Sequence, residues 1–373
     1  MVWTPPPETG SVCQSGSVIK PLETEGASNM NITTIGIDLA KNVFQIHGVD
    51  QRGKTVLKRR LRRDQMASLF ANLPACVIGM EACASSHHWA RKLQGLGHTV
   101  RLMAPQFVKP YVKTNKNDMA DAEAICEAVA RPNMRFVPVK SVEQQAVLSL
   151  HRVRQGFVKA RTAQANQIRG LLGEFGLVMP RGIANVAKRV PDLLEKASEQ
   201  LPARLCELIA RLLCHMKELD CQVGELEAQI KAWHRDSPAS QKVAKIPGIG
   251  PLGASALVAS IADARSFANG RQTSAWLGLV PRQNSSGGKS KLLGLSKRGD
   301  SYLRTLLIHG ARSAILAAQR KTKVDPWLAG LLQRRHPNIA AVALANKNVR
   351  TVWALLAHDR EFRPDYISTP SAA

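Results

Sequence analysis

The chain is short of acid, of aromatic rings and of long apolar runs. Asp and Glu number 28 against 52 Lys and Arg, a formal net charge of +24. That is far more than solubility requires, so a polyanionic partner is expected, nucleic acid by default. Aromatic residues make up only 5% of the sequence, which favours contacts to a phosphate backbone over base stacking. No apolar run reaches membrane-spanning length, and the opening residues MVWTPPPETG lack the basic and apolar regions of a signal peptide. The expectation is a cytoplasmic protein with no membrane partner. Seven cysteines, none in a CxxC pair with zinc-like partners, argue against both a structural zinc site and a disulfide framework. His87 and His88 are adjacent, a poor geometry for shared metal ligation, and read as ordinary polar residues.

Against this basic background four acids stand out. Asp38 in IGIDLAK follows the apolar run Ile32 to Ile37, which reads as a buried strand presenting one carboxylate near its end. Glu81 ends a second apolar run, Cys76 to Met80. Asp118 and Asp121 lie three apart at the start of a helical pattern that continues through Ala122, Ile125 and Ala128, which puts both on one helix face. Converging, the four would hold Mg2+, a cation that prefers oxygen ligands shared between carboxylates and substrate phosphates. Two such ions would clamp a phosphodiester. Any one acid alone reads more blandly as a solvated surface charge, but an unpaired acid at the end of an apolar strand is costly.

The length, 373 residues, allows two or three domains. Residues 1–30, rich in Pro, Gly, Ser and Thr, read as disordered, and Met30 is a candidate natural start. Residues 31–140 alternate short apolar runs with helical patterns, an α/β domain with a mixed sheet, compatible with a ribonuclease-H-like topology. Within it the run Lys54 to Arg63 carries Lys58, Arg59, Arg60, Arg62 and Arg63, suited to a DNA or RNA backbone, with a solvated edge strand as the plain alternative. Residues 141–238 read as a helical coiled-coil region, 239–360 as a helical C-terminal domain, and 361–373 as a tail.

The clearest periodicity is in the middle. Leu205, Leu212, Leu219 and Leu226 recur every seven residues, with Ile209, Met216, Val223 and Ile230 four positions later. Leu at d and mostly β-branched residues at a favour a two-stranded coiled coil, so self-association is the first expectation. An antiparallel hairpin with the earlier helical stretch Val147 to Leu172 is the alternative. Cys206, Cys214 and Cys221 fall beside the seam and read as small hydrophobes.

The C-terminal part opens with IPGIGPLGASALVASI. Gly248 and Gly250 in that turn would let backbone N–H groups approach a phosphate at the head of the next helix, as in helix-hairpin-helix DNA binders; a plain tight turn is the alternative. A basic, flexible segment follows, carrying Arg282, Lys289, Lys291, Lys297, Arg298 and Arg304. Its GGKS, Gly287 to Ser290, is not a P-loop, since the first glycine of that pattern would fall on Gln283.

Taken together and in order, GIDLAK, GMEA, NDMADA, IPGIG, PRQNSSGGK and SKRGDSYLR resemble the DEDD transposases of insertion sequences, recombinases guided by a bridge RNA. The resemblance runs from about Ile32 to about Ala357. It implies a RuvC-like catalytic domain, a coiled-coil linker and a C-terminal transposase domain, with the metal-binding acids on Asp38, Glu81, Asp118 and Asp121. It also places a nucleophilic serine on the SSGG segment, at Ser285 or Ser286. It further implies double-stranded DNA (element ends and target) and a guide RNA as partners; with the heptad, a dimer or tetramer working at the nucleoid is expected. The expected reaction is attack of the serine on a phosphodiester to give a phosphoserine–DNA link, with carboxylate-held metal organising the reacting oxygens. Two other classes remain open: a junction-resolvase-like, structure-specific nuclease that needs the acids but no serine, and a non-catalytic nucleic-acid scaffold.

Overall fold

The computed structural model describes residues 31–113, 117–196, 201–320 and 325–364, so the N-terminal segment expected to be disordered lies outside the described residues. The chain divides into two compact units, residues 1–135 and 136–373.

The first unit is α/β. Three strands, β1 (Thr34–Leu39), β2 (Val43–Val49) and β3 (Thr55–Arg62), are joined by short turns and pair antiparallel. The second turn is built by Asp50, whose carboxylate accepts from the backbone N–H groups of Arg52 and Lys54 at 2.9 Å each. Crossovers through α1 (Gln65–Ala71) and α2 (Ser86–Gly95) then make β4 (Val77–Glu81) and β5 (Thr99–Met103) parallel to β1. The order within this unit is β3-β2-β1-β4-β5, with β3 at the edge. Alternation along the strands sends Ile35, Ile37, Phe44, Ile46, Ile78 and Met80 to one face, where they are buried together with Met66 and Phe70 of α1 and Trp89 and Leu93 of α2. The helix α4 (Asp118–Val129), which follows the short α3 (Pro105–Val108), packs on the opposite face.

The glycines that precede two of the acids explain how α4 reaches that face. A Cβ on Gly36 would stand 2.2 Å from the carbonyl oxygen of Ala122, and one on Gly79 would stand 2.8 Å from Cβ of Val129. No side chain fits at either place, so the helix backbone lies almost on the sheet.

The second unit is helical with one small hairpin. Two long helices dominate its first part, α5 (Val142–Glu174) and α7 (Ala203–Asp236), with α6 (Ile183–Lys196) between them. A capping box starts α5: Ser141 Oγ accepts from Gln144 N–H at 3.0 Å, and the Gln144 side chain accepts from Ser141 N–H at 2.9 Å. The two long helices run antiparallel, as their cross-contacts require. Trp233 Nε1 donates to Glu143 at 2.9 Å, Arg154 Nε donates to Glu227 at 2.9 Å, Arg161 pairs with Asp220, and His215 meets Gln164 at 2.7 Å. The heptad residues Ile209, Met216, Val223 and Ile230 are buried. Ile209 and Met216 pack with Ala165, Ile168 and Leu172 of α5. The seam first assigned to a second copy is therefore filled within the chain, as in the hairpin alternative. A heptad identifies an apolar stripe, not the molecule that covers it. Of the cysteines beside it, Cys206 is half-buried, but Cys214 and Cys221 are exposed, contrary to their reading as packing residues.

Beyond this hairpin, α8 (Pro238–Ala244), α9 (Pro251–Ile261), α10 (Gly270–Trp276), α11 (Ser301–Gln319), α12 (Pro326–Arg334) and α13 (Pro337–Ala357) surround one core. Small residues at its centre, among them Ala254, Ala311, Ala341 and Ala345, allow close helix approach. Between α10 and α11 the chain forms a two-stranded antiparallel hairpin, β6 (Pro281–Gln283) and β7 (Leu292–Leu295), where the sequence reads as a flexible loop. No helix among the described residues is long and apolar enough to cross a membrane.

Candidate acidic centre and nucleic-acid surfaces

Register brings the strand acids to one level. Ile37 of β1 pairs with Met80 of the parallel β4, so Asp38 and Glu81 follow at the same height and on the face that carries Gly36 and Gly79. The helix α4 supplies the other two acids. Asn117 caps it, its side chain accepting from Met119 N–H at 3.1 Å, and Asp118 and Asp121 occupy the first turn, where the helix dipole favours negative charge.

The result is a cluster. One oxygen each from Asp38, Asp118 and Asp121 lies within 4.8 Å of the others. Glu81 is outside that triplet but is electrically coupled to it. Burial first, then the charges of Asp38 and Asp121, raise its pKa above the usual carboxylate value. Like charges gathered this way repel unless a cation lies among them. The donor set, all hard carboxylate oxygens, fits a divalent metal of the Mg2+ type.

Two residues that sequence reading passed over share this face. Gln45 stands opposite Asp38 and His47 opposite Gly36 in the β1–β2 ladder. Burial lowers the pKa of His47, although Glu123 acts in the opposite sense. The alternation Phe44-Gln45-Ile46-His47 held that signal, but only once β2 is known to pair with β1.

The serines sit at the tip of the β6–β7 hairpin. Gly287 and Gly288 both take positive φ, 57° and 75°, and the N–H of Lys289 donates to the carbonyl of Ser286 at 3.1 Å. Two consecutive left-handed residues make a type I′ turn, which explains the Gly-Gly pair. Ser285 Oγ accepts from Gln283 Nε2 at 2.9 Å, and Ser286 forms a bridge to Lys289. Both serines are exposed, as are Arg282, Lys289, Lys291, Lys297 and Arg298. Arg304 is different. Its guanidinium donates to the carbonyls of Leu277 and Arg298 at 3.1 Å each, so it pins the base of the hairpin to α11 and is engaged by backbone.

The IPGIG turn also has a packing role. A Cβ on Gly248, whose φ is +88°, would meet the carbonyl oxygen of Gly310 at 2.7 Å, so this glycine seats the turn against α11. Gly250, exposed, precedes Pro251 at the head of α9. On the edge strand β3, Lys58, Arg59, Arg60 and Arg62 are exposed, and Arg62 pairs with Asp64. Arg63, just beyond it, donates to the carbonyl of Lys41 at 3.2 Å.

A mixed sheet in this order, with acids at the ends of its parallel strands and on the helix laid across them, is consistent with a ribonuclease-H-like domain of the DEDD type. The comparisons specify the class further. Residues 35–176 match the DEDD family model described as "Transposase", and residues 240–324 match that described as "Transposase IS116/IS110/IS902 family". Over 337 residues, 90% of this chain, it is 54% identical to the full length of the "Probable family 20 transposase" of Pseudomonas aeruginosa. It is 45% identical to the transposase for insertion sequence element IS1111A of Coxiella burnetii, over 90% of this chain and 93% of that one. With the transposase for insertion sequence element IS1328 of Yersinia enterocolitica it shares 44% identity, over 89% of this chain and 99% of the relative. The chain belongs to the IS110 family of insertion-sequence transposases, enzymes that act on DNA.

Proposed function

We propose that this transposase is a metal-dependent, RNA-guided DNA recombinase in which Asp38, Glu81, Asp118 and Asp121 hold two Mg2+ ions and a serine of the β6–β7 hairpin attacks DNA. The observation that carries the reading is the convergence of Asp38, Asp118 and Asp121 within 4.8 Å from a strand and a helix distant in sequence. When bound, divalent metal supplies Lewis-acid stabilisation of the charge that develops on phosphodiester oxygens.

The residues of the chain do the rest. Ser285 or Ser286 forms the bond to phosphorus as the 3′ or 5′ oxygen of the cut strand leaves, giving a phosphoserine link that preserves the phosphodiester energy for rejoining. The exposed cations around the serines, Arg282, Lys289, Lys291, Lys297 and Arg298, bind flanking phosphates and offset the added charge of the transition state. Edge-strand residues Lys58, Arg59, Arg60 and Arg62, with Arg63 just after them, hold a nucleic-acid backbone, and the turn at Gly248 and Gly250 approaches phosphate at the head of α9. Target choice rests on base pairing by a guide RNA. The enzyme works as a dimer or tetramer on nucleoid DNA in the cytoplasm, and its subunits meet through surfaces other than the filled heptad seam.

The test uses purified protein with Mg2+, RNA co-purified from a host carrying the element, and labelled DNA spanning the element ends, read on denaturing gels. A protein-linked DNA band that disappears in Ser285→Ala or in Ser286→Ala names the nucleophile. Free cut ends that need Asp38 but neither serine would replace this mechanism with simple nuclease chemistry.

A further inference from the structure

A second group of cations lies at the same end of the sheet as the acids, on the other face. Arg63 follows β3, and its N–H donates to the carbonyl of Asn42 at 3.0 Å, which fixes it beside the turn that leaves β1 after Asp38. Its guanidinium stands 5.4 Å from the ring centre of Trp89 and 5.8 Å from that of Phe44. Lys92 Nζ stands 5.3 Å from the same indole, and the imidazole of His88 meets it edge-on at 5.5 Å. Trp89 and His88 belong to α2, which begins five residues after Glu81.

Arg63, His88 and Lys92 are exposed, and among the described residues no carboxylate forms an ion pair with any of them. Trp89 by contrast is only 3% exposed. The ring is therefore out of reach for base stacking and serves as a floor that holds the cations in place. Three neighbouring donors over a buried ring, without an acid to neutralise them, are the chemistry of a phosphate site. Burial and the charges of Arg63, Lys92 and Arg91 lower the pKa of His88, which agrees with a strongly positive locality.

We infer that Arg63, His88 and Lys92 form a phosphate clamp for one strand of DNA, the strand engaged at the acidic centre, where it passes the end of the sheet. The inference rests on the acids being the DNA-processing centre. It adds a sequence-independent grip, because backbone phosphates carry no base information. DNA is the assigned occupant because the enzyme's substrate is DNA and the clamp lies at the same end of the sheet as Asp38 and Glu81.

The experiment measures binding of a labelled single-stranded DNA oligonucleotide to the full chain in EDTA across a salt series. Arg63→Gln/Lys92→Gln should lower the slope of log affinity against log salt by about 1.4, at about 0.7 per single-strand phosphate. A charge-matched control, Arg131→Gln/Lys245→Gln, removes two cations already paired with Glu127 and Glu361 and should leave the slope unchanged. An unchanged slope in the first variant, or an equal fall in the control, overturns the clamp. Loss confined to an RNA oligonucleotide of the same sequence overturns DNA as its occupant. Since binding is read without metal, failure of the acidic-centre reading shows separately, as strand joining that survives in Asp38→Asn.

Discussion

Gly36 and Ala122 are in backbone contact: a Cβ at position 36 would lie 2.2 Å from the Ala122 carbonyl oxygen. Asp121 is the neighbour of Ala122 and Asp38 lies two residues beyond Gly36, so this contact sets how near the helix acids come to the strand acid. Gly36→Ala must lift α4 or unpack it. The expected cost is about 1–3 kcal/mol in urea unfolding, the usual range for overpacking, together with loss of strand joining although every acid is still present. Full activity in the folded variant would show that the acids do not need this approach.

Divalent metal should stabilise the protein through the acids. At a concentration 100 times its Kd, Mg2+ adds about 2.7 kcal/mol, visible as a rise in Tm that Asp38→Asn/Asp121→Asn abolishes. Glu81 offers a finer version of the experiment. Its charge is disfavoured by burial and by Asp38 and Asp121, so Glu81→Gln should raise Tm in EDTA at neutral pH while lowering activity in Mg2+. A lower Tm in EDTA would mean that the carboxylate is favourably engaged when metal-free.

Ile209 is 0% exposed and packs within the α5–α7 hairpin. Ile209→Asp therefore buries an unpaired charge, and a loss of about 4 kcal/mol or more in the stability of the second unit is expected. Circular dichroism during heating measures it. A fully stable variant that merely dissociates into folded monomers would restore the seam to intermolecular use.

His151 connects three helices of the second unit. Its Nδ1 meets Tyr302 Oη at 2.9 Å and its Nε2 meets Ser255 Oγ at 3.1 Å. Burial, aided by Arg154, lowers its pKa from 6.5 to about 4. The folded state keeps the imidazole neutral while the unfolded chain takes up a proton below pH 6.5, so its contribution is complete above that pH. It is lost as the pH falls to about 4. Over that window about 3 kcal/mol should disappear, seen as a fall in the urea midpoint that is smaller in His151→Gln.

That Asp38 ends a strand and that Asp118 and Asp121 open a helix was legible, because the apolar alternation before one and the periodicity after the others are local. Local signals do not name partners. The heptad over Leu205 to Ile230 showed a stripe, but left open whether a second copy or the mixed apolar and basic stretch that became α5 would cover it. The pair Gly287-Gly288 serves equally in a loose loop and in a type I′ turn, and the choice depended on β6 and β7 finding each other. Arg304 looked like the other cations of its segment, since nothing in sequence tells which carbonyls a guanidinium will meet. The group around Trp89 assembles from β2, from the residue after β3 and from α2, and it exists only once the strand order is known.

The paired helices α5 and α7 have 33 and 34 residues. At 1.5 Å per residue each is about 50 Å long, equal to roughly 15 base pairs of duplex at 3.4 Å per step. With its apolar seam occupied and its helices clipped together by Arg154–Glu227 and Arg161–Asp220, the pair is a rod of fixed length. Its span is set by counting residues, and inserting or deleting one would change register and reach together.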